Sequence, residues 1–204
     1  MEKSVTERNE WLITLTMITG FTGAFLLQMF SAIFHPPDFS GEFPVYPENT
    51  VIIIQLSGAF LLIGLTVIAM KAEEEGQILA AAGFTAQAIS FGISFMSLFE
   101  ITDVASVEDY QGFYRITISS NFLYFPSLLL IASYAAFRKW IQVFGFIASI
   151  PLLISTILFL VGYRDYYTLE AISNTGYFLV SLTWVLWAFN VYMNYKQESK
   201  RNSR

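Results

Sequence analysis

The 11 basic and 16 acidic side chains of this 204-residue chain all avoid six long stretches. These are residues 11–34, 49–70, 76–99, 116–137, 140–163 and 171–195, each holding 22 to 25 residues without a charge. A bilayer core of about 30 Å is crossed by a helix of about 20 apolar residues. The windows therefore predict an all-α membrane protein, a bundle of six transmembrane helices over about residues 11–34, 51–70, 77–99, 116–137, 140–163 and 171–195. With 55% hydrophobic residues and only short links between windows, residues 1–204 form a single membrane domain with no room for a soluble one.

Basic residues orient such a bundle, because cytoplasmic segments are enriched in Lys and Arg. With the N-terminus inside, the inner segments hold Lys3, Arg8, Lys71, Arg138, Lys139, Lys196, Lys200, Arg201 and Arg204, nine of the eleven bases. Both termini are thus expected in the cytoplasm, with the chain as a multi-pass protein of the cell (plasma or inner) membrane. The outer segments hold only Arg115 and Arg164 against nine acids, among them Glu100, Asp103, Asp165 and Glu170. An acidic outer face is ordinarily a solvated rim, although it also concentrates cations. The first window is too long for the apolar core of a signal peptide and no small-x-small site follows it, so it is expected to stay as the first helix.

The inner links are minimal: 71–75 between helices two and three, Arg138 and Lys139 between four and five. Such links force antiparallel neighbours. The outer links are longer. Pro36, Pro37, Pro44 and Pro47 deny the first of them regular helix or central strand. The second, 100–115, has the composition of a short interfacial helix. Aromatic residues mark both expected interfaces: Trp11, Trp140, Tyr192 and Tyr195 inside, Tyr46, Tyr114, Tyr163, Tyr166 and Tyr167 outside.

Gly-Phe recurs at Gly20-Phe21, Gly83-Phe84 and Gly145-Phe146, early in each outward helix, as three tandem helix hairpins would give. The abundance of Phe gives chance as the competing explanation. Helix three has Ala82/Ala86 and Ala88/Gly92 at four-residue spacing, which lets backbones approach closely. It is expected to be the central packing helix or, alternatively, the contact to a second copy or another membrane protein.

Much catalytic chemistry is excluded. There is no Cys and one His, so no thiolate, no multi-His metal site and no HExxH. No carboxylate falls inside a window, so none is expected in the bundle interior for a proton relay. No metal, no cofactor and no nucleic-acid partner is expected, and an enzymatic role is disfavoured. An enzyme acting on lipid through the outer carboxylates with Arg115 and Arg164 ranks third among the functional readings.

What remains is uncharged polarity in the outer halves. An amide left in hydrocarbon without a partner costs roughly 2–7 kcal/mol. Gln28, Gln55, Gln87, Asn121 and Asn174 are therefore expected to turn inward, pairing across helices or lining a polar pocket. Pro126 and Pro151 lie near mid-membrane; each frees a carbonyl, of Phe122 and Ile147, and a kink there would widen the outer half. Arg115 and Arg164 are expected as salt-bridged or snorkelling anchors, or as binders of an anionic group. The leading expectation is a non-enzymatic protein that binds or moves a small neutral, amphipathic or lipid-like ligand. Gln28, Gln55, Asn121 and Asn174 would hydrogen-bond it, Tyr124, Tyr177 and Trp184 would wall it, and Arg115 and Arg164 would stand at its rim. The alternative is an accessory subunit packed on another membrane protein.

Overall fold

The charge-free windows are largely helical, because a run with no charge and few breakers keeps its backbone bonded within itself. A computed structural model describes residues 5–38, 40–41, 43–101 and 106–202, with side chains described for 9–38, 40–41, 43–95, 106 and 108–197. Among them are seven helices: α1 (Val5–Phe34), α2 (Glu48–Glu74), α3 (Ile78–Ile101), α4 (Val107–Ile131), α5 (Lys139–Ala148), α6 (Ile150–Leu160) and α7 (Tyr166–Asn202). No strand occurs among the described residues; Asp38 and Val45 form an isolated bridge that closes the proline-rich loop on itself.

The fifth window is broken in two. Ser149 separates α5 from α6, and Pro151 sits in the first turn of α6, where its missing N–H costs nothing. The two pieces follow one path, so seven helices make a bundle of six members. Five of these are long and apolar enough to cross a membrane: residues Asn9–Phe34, Glu48–Glu74, Ile78–Phe95, Lys139–Leu160 and Tyr166–Gln197. The sixth, α4, is 25 residues long but more polar, with Glu108, Asp109 and Arg115 in its first turns.

Helix α4 is displaced from its window. It starts near 107 rather than 116 because Ser106 caps it: the Ser106 hydroxyl accepts from the Asp109 backbone N–H at 3.2 Å and donates to the Asp109 carboxylate at 2.7 Å. Residues 107–115 of the segment with the composition of a short interfacial helix are thus the first turns of α4, while Glu100 belongs to α3. At the other end α4 stops at Ile131, and residues 132–138 form the link to α5. Side-chain amides hold this link. Asn190 and Asn194 donate to the Ala136 carbonyl at 2.6 and 2.9 Å, Gln142 donates to the Tyr134 carbonyl at 2.9 Å, and Gln77 accepts from the Ala135 N–H at 2.7 Å.

The members close a ring in chain order. Each packs on its sequence neighbour, and α1 packs on α7. Glycines set the closest approaches. A Cβ on Gly20 would stand 2.8 Å from Gly64 Cα and the Phe60 carbonyl of α2, and one on Gly83 would stand 2.8 Å from the Ser127 carbonyl and Ile131 N of α4. A Cβ on Gly145 would stand 2.9 Å from Thr183 of α7. The three recurring Gly-Phe pairs thus share a role, since each glycine admits the next bundle member.

Aromatic side chains fill the ring. Trp187 of α7 receives Phe21 and Phe84 edge-on, at 5.7 and 5.6 Å between centroids. Phe91 lies between Tyr124 at 4.9 Å and Trp184 at 5.0 Å. Outward-facing positions are apolar as well: Leu26, Ile63, Leu79, Leu129, Ile154 and Phe189, one from each bundle member, are all exposed. On helix α3, Ala80, Gly83, Phe84, Gln87 and Phe91 are buried while Ala82 is exposed. The α3 packing face therefore runs through Gly83 rather than through the Ala82/Ala86 pair.

Trp11 of α1 meets Tyr195 of α7 at 5.5 Å, so both termini leave from one end of the bundle. The opposite end carries the 35–47 loop and the starts of α4 and α7. Tyr110, Tyr114 and Tyr166 are buried there with Phe113 and Phe159. Tyr114 and Tyr166 thus form a packed cluster instead of the interfacial belt expected of them, whereas Tyr163, Trp140 and Tyr192 are exposed.

Candidate functional site

The loop-end packing leaves a cavity of about 380 Å³. Helix α7 builds its most polar wall. Glu170, Ser173, Asn174 and Tyr177 recur every three to four residues and so share one helical face, and all four line the cavity. Across from them stand Gln28 and Ser31 of α1, with Thr50 and Ile54 of α2. Phe91, Ser94 and Phe95 of α3 and Phe113, Tyr114 and Thr117 of α4 complete the walls. His35, Pro37 and Tyr46 bring the proline-rich loop over the same space, and the Thr50 hydroxyl ties that loop down by donating to the His35 carbonyl at 2.7 Å.

Glu170 is the residue that window counting missed. It precedes the last charge-free stretch by one position and belongs by sequence to the solvated rim, yet it is 7% exposed. One of its carboxylate oxygens accepts from the Tyr46 hydroxyl and the other from the Tyr110 hydroxyl at 3.2 Å. Asn174, one turn along α7, lines the cavity beside it. The expectation of no carboxylate in the interior is therefore corrected. The windows count contiguous residues, whereas the helix turns Glu170 onto the face of Asn174 and Tyr177. That periodicity, present in the sequence, is the signal that identifies it.

The other expected site residues fall in different places. Gln28, Asn174 and Tyr177 line the cavity. Gln28 also accepts from the buried Ser181 hydroxyl of α7, which joins the first and last helices. Asn121 lies behind the wall and holds Tyr177, accepting from its hydroxyl at 2.8 Å. Tyr124 and Trp184 are fully buried beneath Phe91, in the core rather than on the wall. Gln55 is half-buried on α2, outside the lining, although its neighbour Ile54 belongs to it.

Neither arginine reaches the cavity. Arg115 is exposed on α4. Arg164 is exposed and caps α6, donating to the carbonyls of Phe159 at 2.8 Å and Tyr163 at 3.1 Å, with its guanidinium 4.8 Å from the Phe159 ring centre. Of the acids expected to pair with them, the side chains of Glu100 and Asp103 lie outside the described residues. Pro126 is exposed on the outward side of α4, and neither Phe122 nor Ile147 lines the cavity, so the carbonyls freed by the two prolines do not serve it.

Below the cavity floor is a second set of polar groups. Both amide atoms of Gln87, the Asn121 Nδ2, the Tyr124 hydroxyl and the Trp184 Nε1 are buried without a protein hydrogen-bond partner. Gln87 sits on the α3 face between Phe84, which meets Trp187, and Phe91, which meets Trp184. The inward turn expected of Gln87 is present; an interhelical amide pair is not. Comparison with protein-family models, with curated proteins and with solved structures finds no match to this chain.

Proposed function

We propose that this protein is a multi-pass membrane protein that binds a small amphipathic ligand in the loop-end cavity, as a carrier or receptor for it rather than as an enzyme. The carrying observation is the cavity itself. Its 380 Å³ lies within the usual range of small-molecule sites, about 300–1,000 Å³, and its walls join aromatic surface to a few convergent polar groups. Gln28, Asn174 and Glu170 would fix the ligand's polar end while Phe91, Phe95 and Phe178 would contact its apolar body. Exposed apolar side chains around the bundle support a lipid setting. The excess of bases near the termini supports a cytoplasmic position for that end, so the cavity would face outward across the plasma or inner membrane.

The test is native mass spectrometry of the protein purified in mild detergent, compared with Ala32→Trp, which places an indole into the cavity from α1. Wild type is expected to carry a bound small molecule that the variant lacks while it remains folded. Equal occupancy in both proteins would remove the cavity from the explanation. The accessory-subunit reading gains nothing specific from α3, whose outward Ile78, Leu79 and Ile89 are apolar like the outer faces of the other helices.

A further inference from the structure

We propose that the ligand carries one positively charged nitrogen, as an alkyl- or arylammonium group on an apolar body, with Glu170 as its counter-ion. This inference rests on the cavity reading above and names the chemical class that the cavity selects.

Glu170 is buried at the cavity wall, and both of its hydrogen-bond partners among the described residues are donors, the Tyr46 and Tyr110 hydroxyls. Among the described residues the one ion pair is Lys71–Glu75 at 3.4 Å, at the opposite end of the bundle. Arg164, six positions before Glu170, is committed to the end of α6. No Lys or Arg lines the cavity, and His35, the one basic side chain there, makes no ion pair with Glu170. A buried carboxylate is costly unless a cation is paired with it. Among the described residues, hydroxyls orient the carboxylate and no opposite charge is paired with it.

The rest of the wall suits an ammonium group. Tyr114 and Tyr177 line the cavity with Phe95, Phe113 and Phe178, and aromatic faces attract a cation held against them. An anionic ligand would meet Glu170 with repulsion. A neutral ligand would leave the carboxylate to be neutralised by a proton and would not use its charge. A compact ammonium with an apolar tail satisfies both the carboxylate and the aromatic surface.

The experiment uses the full chain in lipid nanodiscs with two probes of equal length, octylamine and octan-1-ol. Binding is read from tryptophan fluorescence, and the response of Ala32→Trp serves as the baseline for partition into lipid. Wild type is expected to bind octylamine about tenfold or more tightly than octan-1-ol, the scale of one charge-assisted contact. Glu170→Gln keeps the shape and should abolish that preference, leaving the two probes bound within about twofold of each other. Glu170→Asp keeps the charge and should retain the preference, which separates charge from any effect on folding. Equal binding of both probes in wild type, or an amine preference that survives in Glu170→Gln, would overturn the ammonium assignment and leave the cavity reading standing. Binding of neither probe above the Ala32→Trp baseline would remove both.

Discussion

At the residue scale the informative positions are polar side chains set among hydrocarbon. Gln87 is fully buried and its amide has no protein partner. Replacing an orphaned buried amide by an apolar group of similar shape removes its desolvation penalty, about 1–3 kcal/mol. Gln87→Leu is therefore expected to raise the thermal unfolding midpoint, measured by intrinsic fluorescence; a fall would show that Gln87 has a partner in the folded protein. Asp165 makes the opposite kind of contribution. The Thr168 hydroxyl and backbone N–H hydrogen-bond its carboxylate at the start of α7, at 2.6 and 3.3 Å, and hold its pKa below the ordinary 3.8. A carboxyl lowered in the folded state stabilises it above the unfolded pKa and loses that effect as pH falls through the folded one. Exchange of the first α7 amides is thus expected to speed up below about pH 4, relative to intrinsic rates, and Asp165→Asn should flatten that dependence. The amides at the inner end act as ties, which nothing in the charge windows marks. Gln142, Asn190 and Asn194 bond carbonyls of the 132–138 link, whose existence no window revealed.

Elements meet through small residues, and the sequence marks some of these meetings. The Gly-Phe pairs were visible as a recurrence, and in the fold Gly20, Gly83 and Gly145 each admit another bundle member. A Cβ at Gly20 would collide with the α2 backbone, whereas one at Gly92 would meet nothing within 4 Å. Gly20→Val is expected to destabilise the bundle by about 1–3 kcal/mol through overpacking. Gly92→Ala should be neutral or slightly stabilising, since alanine restricts the unfolded chain. Parallel thermal melts of the two variants check both statements. Helix edges were less legible. The charge rule placed the fourth helix at 116–137, while the Ser106 cap starts it at Val107 and it ends at Ile131. A helix tolerates Glu108, Asp109 and Arg115 when it projects past the apolar layer, so absence of charge measures the layer rather than the helix.

For the whole molecule, orientation is the property most open to direct test. The chain has no cysteine, so single cysteines can be introduced one at a time without a background. With the termini cytoplasmic, Ser40→Cys should react with a membrane-impermeant maleimide on intact cells, and Glu74→Cys only after permeabilisation; the reverse pattern would invert the bundle. The six-member architecture was legible because six charge-free windows leave few alternatives. The cavity was legible in part, since amides clustered toward one end, but depth alone could not separate its wall from the core. Gln28 and Tyr177 reached the wall, Tyr124 and Trp184 became core, and Glu170 had been set aside as rim. The closed ring also has a consequence for biogenesis. Chains emerge from the ribosome N-terminus first, and helix α7 follows the other described helices. It carries Trp184 and Trp187, against which Phe91, Phe84 and Phe21 pack, and it brings Glu170, Asn174 and Tyr177 to the cavity. Until it enters, the earlier helices surround a centre that lacks the two tryptophans that fill it.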